Sequence, residues 1–318
     1  MLRYRLAALA LKTFSAAPGG KRAYRALGNV LGNRRRRGPV PPRYIARAEA
    51  NLRALEDRHA ITDGMMLLEL GTGWVHWEAL YTRLFHDVRI ALFDVWDNRQ
   101  FGGFLHHAAG LRAHLATLRD RPAAALAQAQ ALLDRVLQTR DFAEAYAVLG
   151  FTYHLDREGS LAALPDAAFD LVISSDVLEH VPRDSVPTLA ADLARVIKPG
   201  GRMAAQIVYV DHLTLYDRAV HPKNYLRYTD RQWRRWFENG MQYVNRLQPG
   251  DFSAAFTAAG FVMEAQDVLE TCDSGQLPIA APFRHYPPQE LDIAVNRIIA
   301  RKPAGPPERG QAEKVSIA

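Results

Sequence analysis

The stretch Leu67-Leu68-Glu69-Leu70-Gly71-Thr72-Gly73 decides the fold. A short apolar run that ends in glycines reads as a buried parallel strand running into a tight turn. Glycine there lets the backbone approach a ligand closely, at the carboxyl end of a sheet where open α/β folds bind their ligands. A strand-to-helix turn with no ligand explains the same glycines, so this segment acquires meaning only from what surrounds it.

Working outward, apolar runs of strand length recur at Met65–Leu70, Val88–Phe93, Phe151–Leu155, Phe169–Ser174 and Arg202–Val210, the last introduced by Lys198-Pro199-Gly200-Gly201. Helical patterns lie between them. That alternation predicts a parallel sheet with right-handed crossovers. The gap between the second and third strands is long, and residues 98–150 read as a helical insertion containing an Ala/Leu-rich helix at about Pro122–Gln138 and another reaching about Leu149. Phe252–Gly260 reads as a late helix. Residues 1–60 form a basic helical N-terminal extension, residues 61–302 the main domain, and residues 303–318 a polar tail expected to be disordered. No internal repeat is visible.

Asp94 closes the second strand, 23 residues beyond Gly71. An acidic side chain at this point can accept both hydroxyls of a ribose, although a solvated loop carboxylate fits the same pattern. Asp156 ends the third strand and is placed to accept from an adenine amino group. These features alone are shared by nicotinamide-dinucleotide proteins. The longer stretch Leu164-Pro165-Asp166-Ala167-Ala168-Phe169-Asp170-Leu171-Val172-Ile173-Ser174-Ser175-Asp176-Val177-Leu178-Glu179-His180-Val181 separates the two readings. It resembles the fourth-strand motif of class I S-adenosylmethionine (SAM)-dependent methyltransferases. Lys198-Pro199-Gly200-Gly201 is similar to the turn before their fifth strand, and Ala258-Ala259-Gly260-Phe261 to a late segment of the same proteins. The resemblance covers about residues 62–300. It implies an α/β, Rossmann-like, doubly wound sheet of seven mostly parallel strands, and SAM as the cofactor. It further implies that Glu69 faces the amino-acid end of the cofactor, that Gly71, Thr72 and Gly73 line its methionine and ribose moieties, and that Ser175 contributes a backbone contact.

Methyl transfer from a sulfonium is an in-line displacement, in which the cofactor supplies the reactivity and the protein the alignment. A hydroxyl acceptor gains from a general base. His180, just past the fourth strand, and His212, past the fifth, are the candidates, although a histidine that merely ties two loops together fits His180 equally. Residues 209–236 crowd polar and aromatic groups after the fifth strand. Asp211, Asp217, His221, Asn224 and Tyr228 are the candidate acceptor-binding residues, with Trp233 and Trp236 beside them. A packed aromatic corner is the plainer interpretation of the same stretch. Asp211, His212 and Asp217 could gather around a metal ion, but their spacing compels no ligand set, and no metal ligand is assigned. This region, with Asn245-Arg246-Leu247 after it, resembles a subgroup of bacterial methyltransferases associated with surface-polysaccharide synthesis. That resemblance implies O-methylation of a sugar or glycan hydroxyl, or of another small molecule.

The 318 residues carry a net charge of +6, unevenly spread. Residues 1–60 hold 14 Lys and Arg against 3 Asp and Glu, so the remainder of the chain is mildly acidic. Leu6–Leu11 is far too short to span a bilayer and makes a poor secretory signal. Three readings of the extension, which includes Arg34-Arg35-Arg36-Arg37, compete: a solvated arm, a peripheral anchor of residues 1–40 on anionic membrane, and, less favoured, a nucleic-acid-binding arm. With a single cysteine, Cys272, intrachain disulfides are excluded. A cytoplasmic enzyme, peripheral to the inner membrane face, is the expected setting. The rival functions are an RNA or protein methyltransferase recruited through the basic extension, and a non-catalytic domain that keeps the SAM-binding fold for assembly.

Overall fold

The computed structural model describes residues 1–20 and 40–305, with positions 23, 24, 26–28 and 30 between them. The Arg34–Arg37 run and residues 306–318 of the expected polar tail lie outside the described residues. The elements relevant here are α1 (Leu2–Ala16), α2 (Pro42–Glu56), β1 (Met66–Leu70), α3 (Trp77–Phe85), β2 (Arg89–Asp94), α4 (Phe101–Leu115), α5 (Ala123–Leu137), α6 (Phe142–Leu149), β3 (Phe151–Leu155), β4 (Phe169–Ser175), α7 (Val186–Val196), β5 (Ile197–Val208), α8 (Asp230–Trp236), α9 (Pro249–Ala258), β6 (Val262–Thr271), α10 (Pro288–Leu291) and β7 (Ile293–Arg301).

The seven strands form one sheet in the order β3-β2-β1-β4-β5-β7-β6. β1 to β5 run parallel, and β7 enters antiparallel between β5 and β6. The central strands are buried on both faces, which is why they read as unbroken apolar runs. The order reverses beside β1, between β1 and β4, and such a switch point leaves a crevice at the carboxyl ends of the strands. One core fills the face covered by α2 to α6, including Leu52, Leu80, Phe104, Leu111, Leu133 and Leu149. The helices of residues 98–150 thus belong to the layer that packs on this face. A second core fills the opposite face beneath α7 and α9, including Leu193, Val196, Phe252 and Phe256.

One local expectation changes. Lys198-Pro199-Gly200-Gly201 does not precede the fifth strand but lies inside β5: Phe169 pairs with Ile197 and Leu171 with Arg202, so the intervening residues bulge from the ladder. Gly200 there has φ of +81°, and a Cβ on Gly201 would meet the Asp170 carbonyl oxygen at 2.8 Å. Within the extension, the face of α1 carrying Leu2, Leu6, Leu9 and Phe14 points to solvent. The opposite face, Tyr4, Ala8 and Leu11, is buried in a third core with Leu213, Tyr225, Trp233, Phe237 and Phe283. The Tyr4 hydroxyl donates to Asp211 Oδ2 at 2.6 Å, the terminal amine pairs with Asp217 at 2.6 Å, and Lys12 Nζ donates to the Arg234 carbonyl at 2.5 Å. Residues 1–16 are therefore an integral part of the fold. Among the described residues, no helix is long and apolar enough to cross a membrane.

Candidate functional site

The glycine turn after β1 adopts the geometry that only its sequence permits. Gly71 has φ of +72° and Gly73 of +63°, both in the left-handed region. A Cβ on Gly71 would lie 2.2 Å from Val177 Cγ2, so the turn presses directly against the loop after β4; Gly73 has open space around it. Asp94, at the end of β2, fastens the turn. Its Oδ2 accepts from the Gly73 N–H at 3.0 Å and its Oδ1 from the Trp96 N–H at 3.1 Å. Burial pushes the Asp94 carboxyl up from the ordinary range, and those two N–H groups pull it back. Each oxygen keeps a second lone pair for a further donor.

Glu69 is buried at the base of this turn. Loss of hydration and the neighbouring Glu78 carboxylate push its pKa up to about 8, against the pull of the Thr72 hydroxyl, the Ala79 N–H and Arg47. Its Oε2 has no hydrogen-bond partner among the described residues. Thr72 continues into a buried chain: its hydroxyl lies 2.5 Å from His76 Nδ1, and His76 Nε2 lies 2.7 Å from the Tyr146 hydroxyl. His76 sits at φ of +50° in an aromatic nest with Phe104, Phe142 and Tyr153, and burial lowers its pKa to about 3. Across the turn, Arg47 from α2 bridges Glu78, at 2.6 Å, and Asp176. Arg99 lies 3.9 Å above the Tyr153 ring. His76, Arg47 and Arg99 were not found from sequence. Arg47 meets its partners across 31 and 129 residues, and no local pattern reports such pairings.

Asp156 and Ser175 stand at the same edge of the sheet. Asp156 Oδ1 caps its own loop by accepting from the Glu158 and Ser160 N–H groups, at 2.9 and 3.1 Å. The Ser175 hydroxyl accepts from Asn51 Nδ2 at 3.2 Å.

Past β4, Asp176 adopts φ of +57° and turns the chain into a single helical turn at Leu178–His180. This buries Glu179 and leaves His180 at the surface. His180 Nδ1 donates to the Tyr243 carbonyl at 2.6 Å, so in the neutral ring Nε2 carries the lone pair. The rings of His180 and His212 lie 4.9 Å apart, edge to face. Close packing lowers the pKa of both; His212, also facing the His180 ring, falls to about 4. Residues 243–246 are pinned alongside. The Asn245 N–H donates to the Glu179 carbonyl at 2.8 Å, and Asn245 Nδ2 to the Leu178 and Val181 carbonyls. Next to this seam opens a cleft of about 360 Å³, walled by Arg183, Asp184, Asp230, Arg234, Tyr243 and Arg246.

The other acceptor-side residues make internal contacts. Asp211 accepts from Tyr4 and from the Leu213 N–H, and burial lifts its pKa to about 7. Asp217 holds the terminal amine. His221 Nε2 donates to the Asp273 carbonyl while its Nδ1 accepts the Lys223 N–H. Asn224 is buried, and the Tyr228 ring packs 4.6 Å from Phe237. Residues 209–236 thus form a packed corner under α1, and Asp211, His212 and Asp217 do not gather as one ligand set. The reason is the burial of Tyr4, whose hydroxyl takes Asp211 as its partner.

A family model described as a methyltransferase domain matches residues 41–266, and the chain belongs to that family. It is a SAM-dependent methyltransferase with SAM as its cofactor. No curated protein matches the chain significantly. Among solved structures, it is similar to a SAM-dependent methyltransferase from Mesorhizobium loti, at 18% identity over 77% of this chain and 95% of that one, with a TM-score of 0.42. It is also similar to one from Methanosarcina mazei, at 14% identity over 79% and 98% of the two chains, with a TM-score of 0.44. A third is phosphoethanolamine N-methyltransferase 2 from Haemonchus contortus in complex with SAM, at 14% identity over 80% and 52%, with a TM-score of 0.44. The family membership rests on the match over residues 41–266 and not on these likenesses.

Proposed function

We propose that the protein transfers the SAM methyl group to a hydroxyl of a sugar or glycan held in the cleft beside His180. The observation that carries this reading is the orientation of His180. Its Nδ1 is committed to the carbonyl of Tyr243, which leaves the lone pair on Nε2, and Tyr243 is itself part of the wall of a polar cleft. A hydroxyl must lose its proton as it attacks, and two imidazoles kept neutral by their packing are suited to activate it. A cleft with guanidinium, carboxylate and phenol groups in its wall suits a ligand rich in hydroxyls better than an apolar ring.

On the cofactor side, Asp94 takes the ribose hydroxyls on its free lone pairs while the Gly73 and Trp96 N–H groups hold it still. Gly71, Thr72 and Gly73 line the methionine and ribose, Glu69 serves the ammonium end, Ser175 contributes its backbone, and Asp156 lies at the adenine end. Asp211, Asp217, His221, Asn224 and Tyr228 support the acceptor side through the packed corner behind it. A lipid-linked acceptor agrees with α1, whose outer face combines exposed Leu2, Leu6 and Leu9 with Arg3 and Arg5 and so suits peripheral contact with an anionic membrane.

Labelled SAM incubated with the protein and fractionated bacterial extract tests this. Label should enter glycan or lipid-linked glycan as a base-stable methyl ether, and His180→Ala and His212→Ala should each lower the rate by roughly 10²-fold or more. Label confined to RNA or protein would overturn the acceptor assignment.

A further inference from the structure

Glu179 is 3% exposed and yet has no hydrogen-bond partner for either carboxylate oxygen. Such a group is costly, because an unpaired carboxylate loses its hydration with no return. The nearby Glu179 and Val208 backbone N–H groups offset only part of the effect of burial. Carboxylates in this situation are paired or bind a cation. No Lys or Arg pairs with Glu179 among the described residues; Arg47 on α2, whose charge acts on it, is committed to Glu78 and Asp176. Facing the carboxylate are instead two imidazoles. One ligand atom from each of Glu179, His180 and His212 can be chosen so that all lie within 4.8 Å of one another.

We infer that Glu179, His180 and His212 form a binding site for a divalent transition metal ion, and that this ion holds and activates the acceptor oxygen. The inference rests on the hydroxyl-methylation reading for its role but not for the site itself, and with both imidazoles ligated the ion takes over from them the activation of the hydroxyl. Ligand atoms on cis or tetrahedral positions of an ion with bonds of about 2.0–2.2 Å stand roughly 3.0–3.5 Å apart, so small ring rotations and a carboxylate turn close the set. The His180 tautomer already presents Nε2 as the ligand atom, and its Nδ1–H···O=C bond to Tyr243 is the outer contact that orients a metal-binding histidine. Two imidazoles and one carboxylate favour Zn²⁺, Fe²⁺ or Mn²⁺ over Mg²⁺ or Ca²⁺, which prefer all-oxygen sets. Three protein ligands leave positions open for the substrate.

The chemistry balances without a further reactant. Coordination lowers the pKa of the acceptor hydroxyl, whose proton passes to water. The resulting alkoxide attacks the SAM methyl carbon; the new O–CH₃ bond forms as the CH₃–S⁺ bond breaks and its electron pair stays on sulfur. The products are a methyl ether and neutral S-adenosylhomocysteine, and the metal keeps its charge and oxidation state.

The test is a titration of the chelator-stripped full chain with Co²⁺, followed by its visible absorption, and with Zn²⁺, followed by calorimetry. One equivalent should bind in the micromolar range or tighter. Glu179→Gln, His180→Ala and His212→Ala should each weaken binding by roughly 10²-fold or more, with SAM binding retained as proof that each variant is folded; His180→Ala, at the surface, is the variant least exposed to misfolding. No uptake at millimolar Co²⁺ and Zn²⁺ would overturn the inference, as would uptake unchanged in all three variants. Full methyl transfer by metal-free protein overturns the metal and keeps the acceptor reading. Stoichiometric metal binding with methylation only of non-hydroxyl acceptors keeps the site and overturns the acceptor reading.

Discussion

Replacing Gly71 by alanine tests whether the turn is as tightly determined as its geometry implies. At φ of +72° an alanine is strained by roughly 1–2 kcal/mol. The added methyl also meets Val177 at 2.2 Å from Cγ2, 2.8 Å from Cγ1 and 3.1 Å from Cβ. Valine is stiff about χ1, and rotation cannot move its Cβ, so the overlap must shift backbone at about 1–3 kcal/mol more. Gly73 separates the two effects, because its φ is +63° and a Cβ there meets nothing within 4 Å. Gly73→Ala should therefore cost only about 1–2 kcal/mol, and Gly71→Ala more by about 1–3 kcal/mol. Chemical denaturation of both variants, and of Gly71→Ala combined with Val177→Ala in a double-mutant cycle, provides the measurement. The cycle should show favourable coupling of about 1–3 kcal/mol as the overlap is relieved. Equal destabilisation by the two alanines, or zero coupling to Val177, would refute the reasoning.

Three further predictions concern the interior and the docked N-terminal helix. Glu69 has its folded pKa raised to about 8, so its contribution to stability is full below about 4.5 and is lost as pH rises through 8. Denaturant midpoints should show the wild type losing stability relative to Glu69→Gln over that window, by at most about 1.4 kcal/mol per pH unit; a pH-independent difference would contradict it. Tyr4→Phe removes a 2.6 Å buried hydrogen bond to Asp211 and should cost about 1.5–3 kcal/mol, and truncation of residues 1–16 should lower the melting temperature sharply; an unchanged melt would show that α1 is dispensable.

β3 was read although it is a half-exposed edge strand, and β7, interior and buried, was missed because Asn296 and Arg297 interrupt its apolar run. β1, β2, β4 and β5 were legible because burial on both faces writes itself as near-continuous apolar sequence. β6 was not, since it is an edge strand with mostly exposed side chains and no such run. The cofactor turn was legible because its steric demands fall on consecutive residues: only glycine satisfies φ of +72° against Val177. The acceptor side was misleading for the opposite reason. Its polar and aromatic residues sit close in sequence, but their partners are Tyr4, Phe283 and Asp273, brought from far along the chain. The outward face of α1 shows the same limit: leucines at helical spacing mark an apolar stripe, and only the docking of Tyr4 decides which stripe is inside.

The most direct test of the account is a calorimetric titration of the full chain with SAM, repeated on Asp94→Ala. The account predicts one site in the micromolar range, and a loss of roughly ten- to hundredfold in the variant as the ribose hydroxyls lose a charged acceptor. No binding at millimolar SAM, or equal binding by the two proteins, would contradict it.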